Sequence, residues 1–131
     1  MKKDIKIPEV TDLEMAIILE QNQAFNVNEW IVYLINRKNT PVEMVVIVSQ
    51  GFSKTKTTSI FRKKIDVLPA KSMAKIELIQ PELFSLDNRF QVTFFEDNTL
   101  YDATFLFKKN TIRKENLKNI EDFNKKGILC K

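Results

Sequence analysis

EWIVYLINRK, residues 29–38, is apolar on both faces of an extended chain, with Trp30, Val32 and Leu34 opposing Ile31, Tyr33 and Ile35. A strand with one wet face alternates apolar with polar side chains, so this pattern describes a central strand covered on both sides. Before it, Leu13–Glu20 puts Leu13, Met15, Ile17 and Leu19 on one face. After it, Asn39-Thr40-Pro41 forms a compact turn, and Val42–Ser49 carries Val42, Met44, Val46 and Val48 on one face.

The same period of two continues downstream. Thr55–Val67 alternates more weakly, with Ser59, Phe61, Ile65 and Val67 on its apolar side. In Ser72–Gln80, Ala74, Ile76 and Leu78 are expected inward and Lys75 and Glu77 outward. Pro81-Glu82-Leu83-Phe84 reads as a single helical turn with Pro at its first position. Phe90–Phe95 and Leu100–Lys108 flank Glu96-Asp97-Asn98-Thr99, a hairpin turn because Asp and Asn tolerate positive φ.

Seven strands between residues 11 and 109 leave no gap long enough for the helical crossovers that parallel pairing needs. The expectation is an all-β chain, an immunoglobulin-like or fibronectin-like antiparallel β-sandwich, with a small closed barrel as the second choice. No Pro/Gly/Ser-rich linker or internal repeat divides residues 1–131, which read as one domain. Residues 110–131 form a short helical or extended tail. Asn110 or Thr111 can cap a helix, Ile112, Leu117, Ile120 and Phe123 give it a ragged apolar side, and Gly127 can end it. That tail reads as a lid on one end of the sandwich, with a docking segment as the alternative.

Composition excludes several chemistries. The 131 residues contain no His, one Cys and two Gly. There is thus no His-based nucleophile or metal site, no intrachain disulfide, no thiolate zinc cluster and no glycine-rich phosphate loop. The longest stretch free of charged residues, Met44–Ser53, has ten residues, whereas a spanning helix needs about 20. The start, MKKDIKIPEV, is charged where a signal peptide is apolar, so a cytoplasmic chain without membrane contact is the expectation.

The net charge of +4 is distributed in blocks: net −2 over residues 1–50, +5 over 51–71, −4 over 72–107 and +5 over 108–131. In the first basic block Lys54, Lys56, Arg62, Lys63 and Lys64 are interleaved with Phe52 and Phe61. Cations beside aromatic platforms suit single-stranded nucleic acid. Basic residues on an edge strand also deter sheet-to-sheet aggregation, and Phe61, in phase with Ile65 and Val67, is expected in the core.

Other chemical candidates are weaker. Ser72-Met73-Ala74-Lys75 has the S-x-x-K spacing of penicillin-binding enzymes, but in a strand positions three apart point to opposite faces. Cys130 is an isolated thiol. Glu96, Asp97 and Asp102, with Asp87 and Asn88, could gather oxygens around Ca²⁺, yet lack the alternating spacing of a calcium loop. No catalytic residue, cofactor or metal is assigned.

The phrases EWIVYLIN and PAKSMAKIE, with the spacing of the strands from about Ile7 to Leu129, resemble a family of small uncharacterised bacterial proteins. Some of its members carry an automatic label of phenylalanyl-tRNA synthetase alpha subunit, which this sequence does not support. The resemblance implies a compact cytosolic β domain and carries over no functional residue. The expected function is a non-enzymatic protein-interaction or scaffold module. A second copy of the chain is one candidate partner, and contacts would form through the Lys54–Lys64 segment or the Ile112–Cys130 tail. The alternative is a nucleic-acid binder using Lys54, Lys56, Arg62, Lys63 and Lys64.

Overall fold

The computed structural model describes residues 9–130; Lys2, Lys3 and Asp4 of the charged start, and Lys131, lie outside the described residues. Nine strands are present among them: β1 (Leu13–Asn22), β2 (Val27–Asn36), β3 (Val42–Phe52), β4 (Phe61–Leu68), β5 (Ser72–Leu78), β6 (Asp87–Glu96), β7 (Thr99–Phe107), β8 (Lys118–Ile120) and β9 (Lys125–Leu129). They form two antiparallel sheets, ordered β5-β2-β1-β9-β8 and β4-β3-β6-β7. The expected helical turn is a 3₁₀ turn at Pro81–Ser85.

The two-faced pattern of β2 has a direct structural counterpart. Val32 and Leu34 join Ile47, Phe90, Val92 and Phe94 in the core between the sheets. Ile31, Tyr33 and Ile35 lie on the opposite face, where they pack with Ala16, Ile18 and Ile120 in a second cluster. Each such side chain contributes about 1.5–3 kcal/mol when fully removed from water.

That second cluster depends on the tail, and the helix expected there does not form. Beyond a 3₁₀ turn at Lys114–Asn116, the chain makes the β8–β9 hairpin, and β9 pairs with β1 through Ala16↔Leu129, Ile17↔Ile128 and Ile18↔Gly127. Gly127 does not end a helix. It lies in β9, where a Cβ would meet Ile18 Cγ1 at 2.8 Å and the Ile17 carbonyl oxygen at 2.9 Å. Ile120, expected on the apolar side of that helix, is instead at the end of β8 and is buried over β1 and β2. Arg37 fastens the hairpin loop: Nε donates to Glu14 at 2.7 Å, Nη2 donates to the Glu121 carbonyl at 3.2 Å, and the guanidinium lies 5.5 Å from the Phe123 ring centre. The tail is part of the five-stranded sheet and is not a free docking segment.

Two bulges change which side chains face inward. Met44 has φ 49°, and the β3–β6 register slips between Glu43 and Val46. In consequence Val42, Val45 and Ile47 all enter the core, while Met44 turns out instead of facing with Val42. In β5 the register with β2 slips at Ile76, between Val32↔Glu77 and Tyr33↔Lys75. This sets Glu77 opposite a core residue rather than outward, leaves Leu78 exposed and buries Ile79. Bulges redirect side chains in this way because one extra residue reverses the alternation.

The turns follow their residue chemistry. Asp97 (φ 50°) and Asn98 (φ 63°) make the two-residue β6–β7 turn closed by Glu96↔Thr99. Buried Asn36 holds two other turns together, its Nδ2 donating to the carbonyls of Thr40, Leu68 and Pro69 at 3.0–3.1 Å. Its Oδ1 accepts the Lys38 amide at 2.9 Å.

Candidate interaction surface

The five basic residues of the Lys54–Lys64 segment do not converge. Lys54 and Lys56 are exposed on the loop between β3 and β4, where the Ser53 hydroxyl accepts the Lys56 amide at 3.1 Å. On β4, Lys63 is opposite the core residue Ile47, whereas Arg62 and Lys64 are opposite Val48 and Val46 on the outer face. The aromatic residues are also separated. Phe52 lies 5.3 Å from the Arg89 guanidinium, and Phe61, expected in the core, is 39 % exposed. Val67 is 50 % exposed as well: it is opposite exposed Glu43, and the next residue, Leu68, takes the inward place opposite Val42.

β4 is therefore a long edge strand with apolar groups on its rim and charges on its outer face. Among the described residues no other strand pairs with its free edge. Unpaired edge N–H and C=O groups are a template for another strand. The other edges differ: β8 has three residues, β5 is broken by its bulge, and the β7 carbonyl of Leu106 accepts a hydrogen bond from the Cys130 thiol at 3.3 Å. Beside β4, Met44, Val46, Phe95 and Leu100 line an open groove on the outer face, bordered by Lys64 and Asp66. Met44 and Leu100 are 67 % and 56 % exposed. Sequence periodicity had placed Met44 with Val42; its φ above zero is what brings it into the groove.

The remaining chemical candidates are used within the fold. The Ser72 hydroxyl donates to the Pro69 carbonyl at 2.7 Å, while Lys75 Nζ reaches toward Glu20 at 4.0 Å, so the two do not act together. Glu96 accepts from the Thr40 hydroxyl at 2.6 Å and pairs with Lys38 at 3.1 Å. Those contacts outweigh its slight burial and hold its carboxyl below the usual range. Asp87 accepts the Lys109 amide at 2.8 Å. Asp87 and Glu96 lie at opposite ends of β6, so these acidic residues do not gather, and no group of three or more His, Cys, Asp or Glu among the described residues could hold a metal ion. Glu20 accepts from the Tyr33 hydroxyl and from Lys125, tying β9 to the outer face of β2. Burial alone would raise Glu20, but these partners hold it below its ordinary value, and burial together with Glu20 pushes the Tyr33 phenol up.

Glu77 is the titratable group that sequence reasoning turned the wrong way. Its carboxylate accepts the Ser49 hydroxyl at 2.6 Å at the edge of a cavity of about 170 Å³ between the sheets. Burial pushes its pKa up, partly offset by the Ser49 hydrogen bond.

No helix among the described residues is long and apolar enough to cross a membrane. Comparison with protein-family models, with curated proteins and with solved structures finds no match for this chain.

Proposed function

We propose that this is a non-catalytic, cytoplasmic protein-interaction module that acts through the β4 edge and the adjoining outer face, with a second copy of the chain as partner. Supporting an immunoglobulin-like or fibronectin-like sandwich, β1, β2 and β5 neighbour one another in one sheet and β4, β3, β6 and β7 in the other. These correspond to strands A, B, E and C′, C, F, G of that architecture, with β9 and β8 added beside the first strand.

The observation that carries the reading is the charge order on the free edge of β4. Lys64 and Asp66 lie on the same face, on either side of Ile65. Antiparallel pairing about a twofold axis at Ile65 sets each Lys64 opposite Asp66 of the other copy, twice. It sets Lys63 opposite Val67 and leaves no like charges directly opposed. Centring on Arg62, Lys63, Lys64 or Asp66 instead would oppose like charges, so of the registers centred between Arg62 and Asp66 the charges favour the one at Ile65. Twofold pairing is self-complementary by construction and yields a closed dimer with a continuous eight-stranded sheet. Sedimentation equilibrium tests it: a reversible dimer that weakens with added salt is expected, and a strict monomer at high protein concentration contradicts it.

The nucleic-acid alternative rests on half-exposed Phe61 among lysines. Divergence of Lys63 from Arg62 and Lys64 argues against a single cationic track.

A further inference from the structure

The cavity beside Glu77 has a composition that the dimer reading does not use. Its apolar wall includes Ile79, Leu83, Phe90 and the half-exposed Phe61; Gln50, Thr58, Ser59 and Asn88 add neutral polar lining, and Glu77, hydrogen-bonded to Ser49, is its one charged residue. Ser49 is buried and its hydroxyl donates a hydrogen bond to one carboxylate oxygen, Oε2. No described Lys or Arg forms an ion pair with Glu77, in contrast to Glu14, Glu20 and Glu96, each of which has a basic partner. An ionised carboxylate turned toward a sandwich interior without a cation is costly, and such groups are ordinarily paired. The bulge at Ile76 is the backbone device that turns it there.

We propose that this cavity binds a small monocyclic primary amine, its ammonium held by Glu77 and its ring enclosed by Phe61, Ile79, Leu83 and Phe90. The volume matches such a ligand: a cavity of about 150 Å³ accommodates benzene. The ammonium supplies the missing countercharge and donates to carboxylate oxygen that Ser49 leaves free. The carboxyl's raised proton affinity in the empty cavity has the same origin, since burial without a cation disfavours the charged form. Cavities that combine apolar walls with a few convergent polar groups are the usual form of a small-molecule site.

Benzylamine is the probe, with benzyl alcohol as its uncharged counterpart, titrated into the full-length protein and followed by amide NMR shifts. Benzylamine is expected to shift Ser49, Glu77 and Phe90 saturably, and benzyl alcohol to bind about tenfold or more weakly, the value of one charge-assisted hydrogen bond. Glu77→Gln, which keeps an acceptor for Ser49, is expected to remove that preference. The comparison of the two probes on the unaltered protein does not depend on how the variant folds. Equal binding of the two, or no saturable shift at Ser49 and Glu77, overturns the proposal. The shifts are read at Ser49 on β3, Glu77 on β5 and Phe90 on β6, so a failure here is distinguishable from a failure of β4 to dimerise.

Discussion

Gly127→Ala tests the structural claim on which the rest depends, that the C-terminal segment is a strand laid against β1. The added Cβ would stand 2.8 Å from Ile18 Cγ1 and 2.9 Å from the Ile17 carbonyl oxygen. Neither neighbour is the free end of a flexible side chain. Moving the Ile17 carbonyl disturbs the pairing of Ile17 with Ile128, and moving Ile18 disturbs the cluster with Ile31, Tyr33 and Ile120. Overpacking of this kind costs about 1–3 kcal/mol. With 131 residues the unfolding entropy is about 0.28 kcal/mol/K, so a loss of about 2 kcal/mol lowers Tm by roughly 7 °C. Thermal unfolding followed by circular dichroism measures the shift. Amide hydrogen exchange locates it, because faster exchange is expected in β9 and in Ala16–Ile18 together. A helix ended by Gly127 would also suffer from Ala at its cap, but would leave Ala16–Ile18 unchanged. An unchanged Tm with unchanged exchange in β1 would refute the pairing.

Three further perturbations probe the packing. Asn36→Leu removes the donor shared by Thr40, Leu68 and Pro69, and is expected to cost about 2–3 kcal/mol in a denaturant melt, since buried carbonyls lose their partner. Met44→Asn relieves a left-handed backbone that Asn tolerates better, so stability is expected to rise by up to about 1 kcal/mol despite the loss of a methionine. Glu77 has a raised folded pKa, so the native state binds more protons and the wild type loses stability as pH rises from the unfolded value through the folded one. Glu77→Gln is therefore expected to be more stable than wild type near neutral pH, with the difference vanishing in acid. Glu20 and Glu96, whose contributions are lost as pH falls, cancel in that comparison. A wild type and variant with parallel stability profiles from acid to neutral pH would remove the basis for the Glu77 assignment.

Much of the fold was legible because strands announce themselves by period. The two-faced apolar run in β2 and the alternation of Phe90, Val92 and Phe94 required no knowledge of neighbours, and Asp97-Asn98 carried its own turn chemistry. What escaped was non-local or aperiodic. Alternation put Phe61 and Val67 on one inward face, but Phe61 lies at the rim where that face meets solvent, and Leu68, opposite Val42, takes the inward place instead of Val67. One inserted residue at Ile76 and one left-handed residue at Met44 reversed the sense of every side chain beyond them, which put Glu77 at the cavity and Met44 in the groove. In the tail, strands of three and five residues are too short for a period to show. Ile112, Leu117, Ile120 and Phe123 mimicked helical spacing, and only the contact of residues 16–18 with 127–129 decides the structure. The basic segment was legible as charge, but its division between the β3–β4 loop and the two faces of β4 was not.

The central claim, that two copies join through β4 in the register centred on Ile65, is tested most directly by reversing its charges singly and together. Lys64→Glu sets two acidic pairs against each other in the dimer, and Asp66→Lys sets two basic pairs. Replacing two exposed ion pairs by two repulsions should cost about 1–2 kcal/mol, a roughly 5- to 30-fold weaker dimer. The double variant exchanges the charges and restores both pairs across the twofold axis. Sedimentation equilibrium of the four proteins at low salt is expected to show weakened dimers for both single variants and near wild-type affinity for the double one. Equal affinity in all four, or a double variant weaker than either single one, would contradict it.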